Sequence, residues 1–290
     1  DGLGAADIIT GGAGTDTLKL DNSAAAVTAT VDLDNITTVE KIVTATDANG
    51  ADATGQAMSL TMSGVTEATV QNIIIDGSAV TDSLDDLTFT AASVTVTTTT
   101  FTVTGGAGDD TLTGGSGGDT INGGSGDDTI VGGPGADTID GGAGADTFQT
   151  TTGNLTGLDT YVGGAGTDDL ELTAASTIVD DDFTNITTVE TMTMSNHAHT
   201  VTLGTAAAAA GIVTYTGSTG VDTITLGAGF TNDLTLTGNA GADNYTFTAY
   251  TGTVTATTGD GAHAITLGVG TEKITGGSDV ETIAVGATAH

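Results

Sequence analysis

The sequence predicts an all-β protein in which parallel β-roll, or β-solenoid, segments alternate with intervening β modules. Three observations carry that expectation. Glycine- and aspartate-rich nonapeptides follow one another without a gap over residues 105–149. Threonine alternates with aliphatic residues at period two through much of the remaining chain. Aromatics make up only 3% of the 290 residues, with no tryptophan, no cysteine and one proline, Pro134. Thin stacked layers of Val, Ile, Leu and Thr are within reach of that composition, and a thick core is not.

Taken in order, GLGAADIIT (2–10) is a degenerate nonapeptide and GGAGTDTLK (11–19) a good one. The opening residues Asp1 and Gly2 read as the middle of a repeat, hence as a fragment or processed segment. Residues 21–104 read as a Thr/Ala-rich β segment. Within it 28–33, 58–62 and 94–103 alternate threonine with apolar residues, and the short apolar run 70–75 fits a buried strand. Next come GGAGDDTLT, GGSGGDTIN, GGSGDDTIV, GGPGADTID and GGAGADTFQ, each fitting G-G-x-G-x-D-x-U-x with U a large apolar residue. NLTGLDTYV (154–162) and GGAGTDDLE (163–171) extend the series after a break. Residues 173–216 return to Thr-rich β, interrupted at 205–210 by five alanines that predict at most a short helix. From 217 the motif decays through GSTGVDTIT (217–225), GNAGADNYT (238–246) and GGSDVETIA (276–284). The expected division is therefore 1–20, 21–104, 105–172, 173–216 and 217–290. A longer repeat overlies it. GGAGTDTLKL at 11–20 leads to NITTVEKI at 35–42, as GGAGTDDLEL at 163–172 leads to NITTVETM at 185–192. This predicts a duplicated module in which Glu40 and Glu190 do the same job, a structural hydrogen bond or a contact between copies.

Charge narrows the function classes. Thirty-seven acidic residues face three basic ones, Lys19, Lys41 and Lys273, for a net charge of −34. Such a chain repels itself and needs counter-cations to fold. It also repels phosphate backbones and anionic lipid, which argues against nucleic acid as a partner. Without cysteine there are no disulfides and no thiolate metal sites. No apolar stretch approaches the roughly 18 residues of a membrane span.

The nonapeptide carries the chemistry. Its first six residues make a turn and its last three a short strand. Two nonapeptides complete a coil of about 18 residues, and coils stack at roughly 4.8 Å. Glycines bend the backbone so that carbonyl oxygens aim inward, and the aspartate supplies a carboxylate. A hard cation such as Ca²⁺ takes six to eight oxygens, which two stacked turns supply together. Stacking places Asp110, Asp128 and Asp146 in one column and Asp119 and Asp137 in another. Leu112, Ile121, Ile130, Ile139 and Phe148 fill the flat interior, while Thr111, Thr120, Thr129, Thr138 and Thr147 form outward ladders. Asp109 and Asp127 either add charge near the ion or face water.

These stretches, 105–149, 163–171 and 11–19, resemble the RTX (hemolysin-type calcium-binding) repeats of proteins exported by type I secretion. The resemblance implies several Ca²⁺ ions held by repeat aspartates and glycine-turn carbonyls, with a chain unfolded in the low-calcium cell and folded outside. The expected carboxylate ligands are Asp110, Asp119, Asp128, Asp137 and Asp146, with Asp16 and Asp168 in the good outlying copies and Asp7, Asp159, Asp222 and Asp243 in degenerate ones. The expected carbonyl donors are Gly106, Gly108, Gly115, Gly117, Gly124, Gly126, Gly133, Gly135, Gly142 and Gly144. The Thr/Ala-rich segments are similar to those of RTX-type bacterial surface-layer proteins.

Weaker signals have plainer readings beside them. Asp180, Asp181 and Asp182 read as a further calcium site or a solvated loop, and His197 with His199 as a transition-metal pair or a surface strand. His263 and His290 stand isolated in sequence. No HExxH and no cysteine nucleophile is present. The expectation is a non-enzymatic structural protein outside the cell, on a bacterial surface, that assembles with itself into a layer or fibre and meets cell-surface polysaccharide. The alternatives are the stalk of a secreted adhesin and the secretion and folding module of an exported hydrolase.

Overall fold

The computed structural model describes residues 71–279 except 152, residues 281–285, and six earlier strands: Ile9–Thr10, Thr17–Leu20, Val27–Asp32, Ile36–Thr37, Lys41–Thr44 and Met58–Ser63. The predicted ligands Asp7 and Asp16, and Glu40, lie outside the described residues. The chain forms two compact units, residues 1–148 with 158–166, and residues 149–157 with 167–290. Both are parallel β-solenoids. Among the described residues no helix is long and apolar enough to cross a membrane.

In the first unit one sheet runs through Val27–Asp32, Met58–Ser63, Leu87–Thr90, Thr111–Thr113 and Thr129–Val131 to Thr147 and Phe148. The other runs through Thr17–Leu20, Lys41–Thr44, Gln71–Asp76, Thr99–Gly106, Thr120–Ser125, Thr138–Ala143 and Thr160–Ala165. Every one of these pairings is parallel, so each strand is followed by a strand of the opposite sheet and the chain coils. The expected eighteen-residue coil is present in the roll: Thr111 pairs with Thr129 and Thr129 with Thr147, while Thr102, Thr120 and Thr138 align on the other face. Period-two alternation then sorts the side chains. Leu112, Ile121, Ile130, Ile139 and Phe148 are buried, and the threonines beside them face outward. Each buried aliphatic contributes roughly 1.5–3 kcal/mol, and a β-branched neighbour suits the pleat.

The strand expected at 94–103 begins only at Thr99. Backbone bonds from Val94 N–H to Ala91 O (2.8 Å) and from Thr99 N–H to Val96 O (3.1 Å) turn the preceding residues. The Thr/Ala-rich segment before the roll contributes strands to the same two sheets as the roll. Its coils are longer; Ser59 pairs with Thr88 and Ile74 with Thr102.

The second unit repeats the plan. One sheet holds Asp169–Leu172, Thr191–Met194, Thr214–Thr216, Leu234–Thr237, Thr253–Thr257 and Thr271–Thr275, in parallel order. The other holds Thr177–Ile178, Thr200–Leu203, Thr223–Leu226, Asn244–Thr246, Ala264–Leu267 and Thr282–Val285. On the first sheet the register makes two adjoining threonine files: Thr191, Thr214, Thr235 and Thr255, and Thr193, Thr216, Thr237 and Thr257.

The predicted short helix is present as Thr205–Ala210, ended by Gly211 in the left-handed conformation at φ 112°. Its N-terminus is capped from elsewhere. The Asp180 carboxylate accepts from Gly204 N–H (2.8 Å), Ala206 N–H (3.2 Å) and Ala207 N–H (3.0 Å). Free helix-end N–H groups need such acceptors. Asp182 accepts from Val179 N–H at 2.9 Å and caps its own 3-10 turn, Asp180–Phe183. Two of the three adjacent aspartates are thus structural.

Candidate metal centre

The roll's aspartates stand in the two predicted columns and are buried, each only 1% exposed at Asp110, Asp119, Asp128, Asp137 and Asp146. One oxygen of each is used in the same way. Asp110 N–H donates to Asp128 Oδ1 at 2.8 Å, and Asp128 N–H to Asp146 Oδ1 at 2.9 Å. On the other edge Asp119 N–H donates to Asp137 Oδ1 (2.8 Å) and Asp137 N–H to Asp159 Oδ1 (2.9 Å), which adds Asp159 to that column. Each column begins on an apolar residue, with Leu87 N–H bound to Asp110 Oδ1 (2.7 Å) and Phe101 N–H to Asp119 Oδ1 (2.8 Å).

The second oxygen is different. Asp110, Asp128 and Asp137 each keep a buried Oδ2 with no hydrogen-bond partner. A buried carboxylate oxygen left so costs several kcal/mol unless a cation or a proton meets it. Burial, the largest cause, pushes the carboxyls of Asp110, Asp128 and Asp137 up to about 7 and that of Asp119 up to about 6. Neighbouring aspartates push Asp110, Asp128 and Asp137 further, against the lowering effect of the backbone N–H donors.

The glycines complete the donor set. A Cβ on Gly105, Gly114, Gly123 or Gly141 would run into the Oδ2 of the repeat's own aspartate and into the carbonyl oxygen of Gly123, Gly132, Gly141 or Gly163 respectively, one coil on. The space before each first glycine is therefore a cradle lined by oxygen from two coils. The second and fourth glycines stack too. Gly124 (φ 119°) faces the Gly106 carbonyl, and Gly126 (φ 115°) the Gly108 carbonyl. Gly142 and Gly144 repeat this over Gly124 and Gly126, while Gly133 and Gly135 do so over Gly115 and Gly117 on the opposite edge. Among the described residues no three His, Cys, Asp or Glu side chains converge on one point. A cation here must take most of its oxygens from backbone carbonyls, which suits Ca²⁺ and not the transition metals. The residues present fit that ion.

Asp109 and Asp127 resolve toward solvent. Both are exposed, and their carboxylates accept from Asp127 N–H (2.8 Å) and Ala145 N–H (2.7 Å), an outer ladder beside the buried one. In the second unit Asp168, Asp222 and Asp243 are also buried at the repeat position. Glu190 accepts from Asp168 N–H at 3.0 Å, a structural hydrogen bond at the place an aspartate holds in the roll. Asp222 Oδ1 accepts from His199 N–H (2.9 Å) and Asp243 Oδ1 from Asp222 N–H (2.8 Å).

Two readings of the histidines change. His199 is buried with Nε2 3.1 Å from the Ser195 carbonyl, whereas His197 is exposed beside the Ser195 hydroxyl, so they do not form a pair of ligands. His263 is not isolated: its Nδ1 accepts from Asp243 N–H at 3.3 Å, one coil along from Asp243. Sequence reasoning missed the first-glycine carbonyls and the histidines standing in for aspartate. TGDGAHAIT at 258–266 holds the signal, with histidine at the sixth position of an otherwise recognisable repeat.

Fold and site together define a calcium-binding β-roll. The family model for the RTX calcium-binding nonapeptide repeat, in four copies, matches residues 1–22, 102–130 and 122–154. Those residues carry RTX calcium-binding nonapeptide repeats, whose ligand is Ca²⁺ at several sites. No curated protein and no solved structure matches it.

Proposed function

We propose that this chain is a non-enzymatic structural protein of a bacterial cell surface, ordered by Ca²⁺ and assembling with itself into a layer or fibre. The ions sit in the first-glycine cradles of the roll. Asp110, Asp128 and Asp146 serve one edge and Asp119, Asp137 and Asp159 the other, with the turn carbonyls of 105–144 beside them. Binding neutralises buried carboxylates that otherwise repel one another, so the roll folds where calcium is plentiful, outside the cell.

The observation that carries self-assembly is the double threonine file of the second unit. Thr235, Thr237, Thr255 and Thr257 are exposed, and Thr191, Thr193, Thr214 and Thr216 half-exposed. The files hold no ionisable residue from Thr191 to Thr257, although the chain carries −34. Copies so strongly charged repel one another over most of their surface. A flat neutral face, with side chains at about 4.8 Å between coils and held in few rotamers, is where they approach at least cost.

Electron microscopy with and without millimolar Ca²⁺ tests this, with the double variant Thr235→Lys, Thr255→Lys beside the wild type. Ordered sheets or fibres that need calcium and are lost in the variant are expected. Monodisperse monomer at high protein concentration in calcium would overturn the assembly reading and leave the adhesin stalk in its place.

A further inference from the structure

We propose that the column His199, Asp222, Asp243, His263 is a calcium-free counterpart of the roll's carboxylate columns, in which hydroxyl groups stand in for the cation and imidazole for two of the carboxylates, and the coils fold without it. The inference rests on the calcium reading of the roll, against which this column is contrasted.

The register aligns the four residues. Thr200, Thr223, Asn244 and Ala264 pair in succession, so the residues before them stack on one edge. All four are buried at 1% exposure. Asp222, Asp243 and His263 each use one acceptor as in the roll, toward the N–H of the preceding coil. The second oxygen of Asp222 and of Asp243 is not left over, whereas His199 Nδ1 and His263 Nε2 are buried without a hydrogen-bond partner. Asp222 Oδ2 accepts from Ser218 N–H at 2.8 Å and from the Ser218 hydroxyl at 3.1 Å. Asp243 Oδ2 accepts from the Tyr245 hydroxyl at 2.8 Å. In the roll the corresponding oxygens of Asp110, Asp128 and Asp137 have no partner and that of Asp119 only the Gly115 N–H at 2.7 Å, so the difference lies in the two hydroxyls.

The cradle itself is filled. Where a Cβ on Gly105 or Gly123 would meet a carboxylate oxygen and a carbonyl, a Cβ on Gly238 would meet the Tyr245 hydroxyl and the Thr258 carbonyl. Tyr245 stands at the large apolar position of GNAGADNYT, where the roll has Leu, Ile or Phe. Its ring lies in the core, and its hydroxyl reaches back into the turn. One coil further the carboxylate is gone, and His263 stands in its place with Nδ1 3.3 Å from Asp243 N and 3.4 Å from Asp243 Oδ2. A hard cation prefers oxygen and negative charge. This edge offers two carboxylates already satisfied, with imidazole in place of a carboxylate on either side.

The consequence is a chain with two kinds of coil. Those at 199–265 are ordered by hydrogen bonds within the protein, and those at 105–149 by calcium.

Hydrogen exchange of the full chain, in excess chelator and in millimolar Ca²⁺, reads both regions in one experiment. Amides of 199–265 are expected to be protected in chelator and unchanged by calcium. At a calcium concentration ten times the Kd, exchange in 105–149 slows about tenfold for each site occupied. Calcium-dependent protection across 199–265 overturns the inference. The response of 105–149 is read separately and bears on the calcium reading alone. Calorimetric stoichiometry of Asp243→Asn gives a second reading, with the same number of ions expected as in the wild type. One ion fewer contradicts the inference.

Discussion

Replacing Asp128 by asparagine separates the two roles of a column carboxylate. Its Oδ1 accepts from Asp110 N–H at 2.8 Å, and an asparagine oxygen keeps that bond. Its Oδ2 is buried without a hydrogen bond and faces the cradle before Gly123. Burial and the charges of Asp110 and Asp146 all oppose ionisation there. In chelator the variant is therefore expected to be as stable as the wild type or more so, because a neutral amide costs less to bury than a carboxylate. In calcium the sign reverses. At ten times the Kd one site contributes about 1.4 kcal/mol through RT ln(1 + [L]/Kd), so the stabilisation gained from calcium falls by about that amount for the one cradle lost. Urea unfolding followed by far-ultraviolet circular dichroism, in chelator and in calcium, measures the difference. Equal calcium stabilisation of variant and wild type would refute the cradle assignment.

Other expectations follow from neighbouring features. Gly123→Ala places a methyl against Asp128 Oδ2 and the Gly141 carbonyl; it should cost about 1–3 kcal/mol by overpacking and lower the calcium stoichiometry. Gly153→Ala, with nothing within 4 Å, should change neither melting temperature nor stoichiometry. The carboxyls of Asp110, Asp128 and Asp137, raised to about 7, and of Asp119, raised to about 6, hold protons that the unfolded chain has lost. Without calcium, stability is then greatest below the unfolded value of about 3.9 and is lost as pH rises toward 7. Calcium uptake near pH 6 must accordingly release protons, seen in calorimetry as heats that vary with the ionisation enthalpy of the buffer; buffer-independent heats would count against it. Asp180→Ala removes the acceptor of three helix-end N–H groups and should cost about 1–2 kcal/mol, equally with and without calcium in thermal melts.

Much of the roll was legible because its information is local. A nine-residue motif fixes turn, strand and inward residue together, so Asp110 and Asp128 could be placed in one column from spacing alone. The helix at Thr205–Ala210 was legible for the same reason, with alanines bounded by glycine. Longer coils hid the rest. Where Ser59 meets Thr88, or Ile74 meets Thr102, turns of irregular length break any fixed period, although the parallel pairing is the same. Contacts between distant residues were hidden too. Asp180 caps a helix that starts 25 positions later in the chain, and an acidic triplet alone does not say so. The place of His199 and His263 in a column escaped for a chemical reason. The repeat position asks for an acceptor for the preceding coil's N–H, and glutamate or imidazole meets that need as aspartate does. Only calcium demands the carboxylate, so a histidine there marks a coil that has another source of order.

The central claim is that buried aspartate columns at 105–149 are completed by calcium. Its most direct test is a calcium titration of the whole chain that counts bound ions while following circular dichroism. The account predicts several ions bound together with a gain of β signal as the roll orders. A full β signal in excess chelator, unchanged on adding calcium and with no ions taken up, would contradict it.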